Sequence, residues 1–144
     1  MTTVLAVNSS KEKGQPKQAV TKGYFALHCG LQGDAHAGDW HRQVSLLGNE
    51  SIDKIRKLGF DNLATGSFAE NITTEGIILY ALPVGSRLRV GETVLEVTQI
   101  GKECHMGCAI REKTGDCVMP REGIFAKVIT PGWIQAGDEI VRLD

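Results

Sequence analysis

The sequence predicts a mainly β fold, a barrel or sandwich of short strands with one or two small helices. Three observations point there. Apolar and polar residues alternate with period two in Arg87-Leu88-Arg89-Val90 and again around Leu95 and Val97. Turn signals at Gly91-Glu92, Pro131-Gly132 and Gly137-Asp138 cut the chain into short runs. Helical apolar spacing is clear in one short segment, Glu50 to Leu58.

In chain order, Val4 to Val7 reads as a first strand, and the polar run Asn8 to Gln18, with Gly14 and Pro16, as a mobile loop. Gly23 to Leu27 is a second strand, followed by a Gly-rich loop, Cys29 to Asp39. Gln43-Val44-Ser45-Leu46-Leu47 reads as a buried strand. The helix places Ile52, Ile55 and Leu58 on one stripe, with Asn49 as N-cap, Glu50 and Asp53 in the first turn and Gly59 as the stop. Gly first in Gly91-Glu92 is the type II′ signature, so Arg87 to Ile100 forms a hairpin. Ile124 to Ile129 is another strand, and Glu139 to Leu143 closes the chain.

A chain of 144 residues suits a single domain spanning 1–144. Sixteen Lys and Arg against 17 Asp and Glu give a net charge of −1, which argues against a constitutive nucleic-acid binder. The start, Met1-Thr2-Thr3-Val4, has neither the basic nor the apolar region of a signal peptide, and no run approaches a membrane span. The expected location is therefore the cytoplasm. The four cysteines, Cys29, Cys104, Cys108 and Cys117, are then expected as thiols or ligands rather than disulfides.

The densest chemistry lies in Gly101-Lys102-Glu103-Cys104-His105-Met106-Gly107-Cys108, directly after the strongest strand. Three readings stand side by side. The thiols are buried packing residues. Cys104, His105, Cys108 and Cys117 hold zinc, although one C-x3-C and a lone Cys are not the usual hooks. Or one thiolate acts as nucleophile or soft-metal ligand, with Lys102 on the same face of an extended chain as Cys104. Asp34 and His36 form a second group in the Gly-rich loop, with Arg42 before the buried strand as a phosphate or carboxylate donor. Against this, a loop His is commonly an anchor, and an Arg at a strand start is commonly solvated. In Phe68 to Gly76, Phe68 and Ile72 belong to the core, while Glu70 and Asn71 face opposite ways; the plainer role for Asn71 is satisfying backbone groups in a turn. Arg121, in the turn Pro120-Arg121-Glu122-Gly123, offers a second anion contact.

The chain resembles the MOSC domain family, named after the C-terminal domain of molybdenum cofactor sulfurases, and in particular its short stand-alone bacterial members. The resemblance runs through Gly30-Leu31-Gln32-Gly33-Asp34-Ala35-His36, Arg42-Gln43-Val44-Ser45-Leu46-Leu47, Phe68-Ala69-Glu70-Asn71-Ile72-Thr73-Thr74-Glu75-Gly76 and Leu82-Pro83-Val84-Gly85-Ser86. It continues in Leu88-Arg89-Val90-Gly91, Lys102-Glu103-Cys104, Gly123-Ile124-Phe125-Ala126-Lys127-Val128 and Gly137-Asp138-Glu139-Ile140. It implies a closed β-barrel of the pyruvate-kinase type and a link to the molybdenum cofactor, molybdopterin. The family's functional cysteine falls on Cys104, as molybdenum ligand or sulfur acceptor, with Cys108 and Cys117 as further possible ligands. Asp34, His36, Arg42, Glu70, Asn71, Lys102 and Arg121 become the cofactor-binding candidates. A dithiolene-bound molybdenum accepts thiolate sulfur, and the pterin phosphate calls for Arg, Lys and backbone N–H groups. The family often has Pro-Arg-x-Pro-Cys where this chain has Ile100-Gly101-Lys102-Glu103-Cys104.

The function implied is to carry, sulfurate or transfer the cofactor, with a molybdoenzyme or cofactor-biosynthesis protein as partner. One alternative is a molybdenum-dependent reductase of N-hydroxylated compounds with a separate redox partner. Another is a zinc-stabilised, non-catalytic module. The sequence shows no pyridoxal-phosphate domain and no flavin or iron–sulfur motif, and neither nucleic acid nor membrane is expected as a partner.

Overall fold

A computed structural model describes residues 2–13, 15–60, 62–101 and 122–143. Eleven strands are present among them: β1 (Thr3–Ser9), β2 (Gln18–Val20), β3 (Lys22–Ala26), β4 (Gly30–Leu31), β5 (Val44–Gly48), β6 (Ile72–Glu75), β7 (Arg87–Val90), β8 (Thr93–Ile100), β9 (Ile124–Thr130), β10 (Gly132–Gln135) and β11 (Ile140–Leu143). One helix, α1 (Asn49–Arg56), and a 3₁₀ turn, Leu79–Ala81, complete the set. Eight strands form one sheet in the order β11-β7-β8-β9-β5-β6-β1-β2, and β10-β3-β4 form a second.

The expected hairpin is β7–β8. Leu88 lies opposite Leu95 and Val90 opposite Thr93, which leaves Gly91-Glu92 as a two-residue turn. Gly91 has φ +56 and Glu92 does not share a positive φ, as a type II′ turn requires. β5 is buried at every position. It pairs antiparallel with β9 and parallel with β6, and the parallel pair needs the long crossover that contains α1. Its two faces pack differently. Val44 and Leu46 join the main core with Phe25, Ile72, Leu95, Ile124 and Ile134. Leu47 turns the other way, onto Ile52 and Ile55 of α1, Phe68 and Phe125. That second cluster holds the 57–71 connection against the sheet and so places the residues around Ala69.

The expectation of a closed barrel is not met. The large sheet runs from β11 at one end to β2 at the other, and neither sheet returns on itself. The reason lies in how β1 uses its outer edge. Val7 to Ser9 pair with β2, whose three residues are all exposed. The other end of β1 meets the turn before β11 and only the first residue of β11, whose Ile140 N–H donates to Thr2 O at 2.9 Å. Thr3 makes an isolated bridge to Glu139, Val4 N–H donates to Asp138 O at 2.8 Å, and Gly137 N–H donates to Val4 O at 2.8 Å. A barrel needs a strand-to-strand ladder at closure; here a turn caps the seam.

Three local expectations are also corrected. The helix ends at Arg56 rather than Leu58, and Leu58 is 63% exposed. Its N-cap is Gly48, because the Asn49 side chain accepts a hydrogen bond from Arg56 Nη1 at 2.7 Å. The polar run taken as a loop from Asn8 is instead strand at Asn8 and Ser9, strand again from Gln18, and buried at Asn8 and Lys17. Among the described residues no helix is long and apolar enough to cross a membrane.

Candidate functional site

The Gly-rich loop after β4 folds around one ion pair. Lys17 Nζ lies 2.8 Å from Asp34 Oδ1, and the two side chains are 0% and 1% exposed. The rest of the Asp34 carboxylate is also filled. Oδ1 accepts from Ser10 N–H at 3.1 Å and from Ser9 Oγ at 3.3 Å, and Oδ2 accepts from His36 N–H at 3.0 Å. Burial works to raise the pKa of Asp34, but the bonds from Lys17, Ser10, Asn71 and His36 outweigh it and hold the carboxyl below its ordinary value. Lys17 is fixed from behind as well, since its N–H donates to Gly66 O at 2.8 Å. Gly66 has φ +85, and a Cβ there would meet Lys17 O at 2.1 Å, so the close approach requires glycine.

Next to this pair is a cleft of about 100 Å³ lined by His36, Trp40, Arg42, Ser45, Phe68, Ala69 and Phe125. The half-buried Arg42 guanidinium stands 5.2 Å from the Phe125 ring centroid and 6.0 Å from that of Trp40. Its Nε donates to Gln99 Oε1 at 3.1 Å, and its Nη groups have no hydrogen-bond partner among the described residues. Gln99 donates in turn to Gly101 O at 2.8 Å. Gly101 N–H donates to Gly123 O at 2.7 Å, which brings together the two ends of the 102–121 segment. Arg42 thus stands two hydrogen bonds from the root of the segment that carries Cys104. Ala69 is held at φ +63, unusual for a residue other than glycine, by its N–H to Gly66 O and by Ser45 Oγ on its carbonyl.

Trp40 also lines a wider groove of about 540 Å³ with Leu27, His28, Asp39, His41, Gln43, Thr98 and Lys127. The two hollows share the indole. A third hollow, of about 170 Å³, lies over the start of α1, where Glu122 already takes hydrogen bonds from Ser51 and Lys54.

The sequence candidates separate clearly. Asp34, His36 and Arg42 come together at the cleft. Glu70 and Asn71 are wholly buried and bind the chain itself. Glu70 accepts from Gly66 N–H, Phe68 N–H and Thr73 Oγ1, yet its burial prevails and raises its pKa. Asn71 Oδ1 accepts from Ser45 N–H at 3.0 Å, and its Nδ2 donates to Asn8 O at 3.4 Å, so it fastens β1 to β5. Cys104, Cys108, Cys117, Lys102 and Arg121 lie outside the described residues. Among the described residues no cluster of three or more His, Cys, Asp or Glu is arranged to hold a metal.

Sequence reasoning missed Lys17, Trp40, Gln99 and Phe125. Lys17 carried no signal, because a lysine after proline in a polar run reads as solvated. Trp40 carried one: a large aromatic in a Gly-rich loop has little reason to be there without something to cover or contact.

The MOSC domain family matches residues 32–141 of the chain. None of the curated proteins matches it. Among solved structures, the YuaD protein of Bacillus subtilis superposes with a TM-score of 0.79 at 22% identity, covering 97% of this chain and 94% of that one. YiiM of Geobacillus stearothermophilus gives 0.78 at 18% identity, over 100% of this chain and 76% of that one. YiiM of Escherichia coli gives 0.72 at 19% identity, over 100% and 70%. At these identities the structures share the fold. The family match covers the cleft residues, both ends of the 102–121 segment and the closing turn, and the chain belongs to the MOSC domain family, which is associated with molybdenum-cofactor-related proteins.

Proposed function

We propose that this protein binds the molybdenum cofactor at the Arg42 cleft, with the pterin phosphate on Arg42, and carries it for transfer to a molybdoenzyme or cofactor-biosynthesis protein in the cytoplasm. The observation that carries the reading is the Arg42 guanidinium. It lies over two aromatic rings, its Nη donors are unengaged among the described residues, and it stands at the root of the segment bearing Cys104. Planar guanidinium donors suit phosphate oxygens.

The residues fit the group in kind and in size. Ligand sites run to about 300–1,000 Å³. The cleft of about 100 Å³ takes a phosphate or a ring edge, and the groove of about 540 Å³ beyond Trp40 takes the body of a pterin. When bound, the cofactor would supply a soft molybdenum centre for which a thiolate is a suitable ligand. Cys104 is the thiolate assigned to it, with Lys102 and Arg121 as further cations.

The test is anaerobic, molybdenum-replete expression followed by metal and pterin assay of the purified chain. Arg42→Glu should lower cofactor retention about tenfold or more with the fold intact, since charge-assisted hydrogen bonds contribute about 1.5–3 kcal/mol. Cys104→Ser should abolish molybdenum loading with little change in melting temperature. Unchanged retention in Arg42→Glu would remove Arg42 from the site. Zinc release with unfolding in Cys104→Ser would make the thiol segment a structural zinc site.

A further inference from the structure

Gln99 stands beside Arg42 because of a bulge. The β8–β9 pairing steps from Val97 opposite Ala126 to Gln99 opposite Phe125 and then Ile100 opposite Ile124, so Thr98 is an extra residue. Residues directly opposite each other share a face of the sheet. Ala126 and Ile124 belong to the main core, and Phe125 to the cluster on the other face. Without the extra residue Gln99 would fall opposite Ile124, on the core face; with it, Gln99 joins the face of Phe125. Phe125 also lies opposite Ser45 of β5, so Ser45, Phe125 and Gln99 form one row across three strands.

The chemistry of the neighbours then orients the amide. The Arg42 Nε–H can only donate, so the Gln99 atom 3.1 Å from it is the carbonyl oxygen, Oε1. Oε1 also accepts from His41 Nε2 at 2.9 Å, which fills both of its lone pairs. The Gln99 amide nitrogen donates to Gly101 O at 2.8 Å. Thr98 Oγ1 donates to the His41 carbonyl, so the bulge grips residues 41 and 42 through both of its side chains.

We propose that Gln99 is a positioning residue: it holds the Arg42 guanidinium by its Nε edge, so that the fork offered to an oxyanion in the cleft is the Nη1–Nη2 pair. An arginine grips two oxygens either side-on, through Nε and one Nη, or end-on, through both Nη groups. Gln99 occupies Nε, and the Nη groups have no hydrogen-bond partner among the described residues. Arg42 lines the cleft and Gln99 does not, so the hold comes from outside the cleft and leaves its lining clear. A half-buried arginine without that hold would have to be ordered when the anion binds, at a cost to affinity. The inference deepens the reading of the cleft as the cofactor's phosphate site and rests on it for its biological meaning.

The decisive measurement follows the Arg42 Nε–H by 1H–15N correlation in the full chain at neutral pH, with inorganic phosphate as the probe. In the wild type this proton should exchange slowly with water. It should stay slow at saturating phosphate, because the anion takes the Nη pair and leaves Gln99 in place. Gln99→Met removes the acceptor at nearly equal length. In that variant, checked for folding by circular dichroism, the Nε–H should exchange as in a solvated arginine, and phosphate affinity should fall several-fold. Gln99→Glu returns an acceptor to Nε and should restore slow exchange, which a loss of packing alone would not allow. Slow exchange in folded Gln99→Met would overturn the proposal, as would fast exchange in folded Gln99→Glu. So would phosphate accelerating the Nε–H in the wild type, a result that decides the matter even where a variant does not fold. If the Nε–H behaves as stated in all three forms and phosphate moves no Arg42 signal, the anion-site reading fails and the hold of Gln99 on Arg42 stands.

Discussion

Asp34 and Glu70 are both buried carboxyls, and burial has opposite net results on them. Asp34 gains an ammonium and several N–H donors, and its pKa falls below the ordinary value. Glu70 gains N–H and O–H donors but no cation, and its pKa rises. The signs for stability follow. The Asp34 contribution is present above the ordinary carboxylate range and is lost as pH falls through its lowered folded pKa. The Glu70 contribution is present below that range and is lost as pH rises through its raised folded pKa. Denaturant midpoints measured across the acid limb should therefore show Asp34→Asn flattening the loss at the lowest pH, and Glu70→Gln flattening a decline at higher pH. At neutral pH, Asp34→Asn should also cost about 3–5 kcal/mol, because it strands the Lys17 ammonium in the interior. A change under 1 kcal/mol would mean that Lys17 reaches water in solution.

At the scale of elements, two backbone positions carry the site and the hairpin. Ala69 sits at φ +63 at the end of the 57–71 connection, lining the cleft with Phe68 and Phe125, and Ser45 is bonded to its carbonyl. Ala69→Gly should relieve the left-handed conformation and stabilise by about 0.5–1 kcal/mol, while Ala69→Val should destabilise. Equal melting temperatures for the three forms would show that the conformation is unstrained. In the β7–β8 turn, a Cβ on Gly91 would meet Asp138 Oδ2 at 2.4 Å and Trp133 O at 3.0 Å. Asp138 Oδ2 is already committed to Gln135 N–H at 2.9 Å. Gly91→Val should cost at least about 1–2 kcal/mol by thermal denaturation, since conformation and space both oppose it.

For the whole molecule, the open sheet order predicts uneven stability. β5 is central, buried at every position and paired on both edges. The seam between β1 and the turn at 137–140 rests on one isolated bridge and the bonds of Val4, Gly137 and Ile140 N–H groups. Amide hydrogen exchange should therefore be faster at Val4, Gly137 and Ile140 than at Leu46 and Leu47. Equal protection at the seam and at β5 would mean that the sheet behaves as a closed barrel in solution despite its ladder.

Local chemistry made much of this protein legible in its sequence. The Gly91-Glu92 turn, the alternation of Leu88, Val90, Leu95 and Val97, and the apolar run Val44 to Leu47 specify strands through neighbours within a few residues, and the strands are there. The helix was visible, but its cap and end were not, because Arg56 reaches back to Asn49 and removes it as a cap. Asp34, His36 and Arg42 stood out as chemical types. What they do depends on residues distant in sequence. Lys17 becomes a buried cation only where the 34–36 loop and Gly66 close around it, and Arg42 meets an aromatic face only where β9 brings Phe125 near it. Closure is decided at the same level. Whether the edge of β1 meets a strand or a turn depends on where β2 and the 137–140 turn fall in space, which the local periodicity of either segment does not encode.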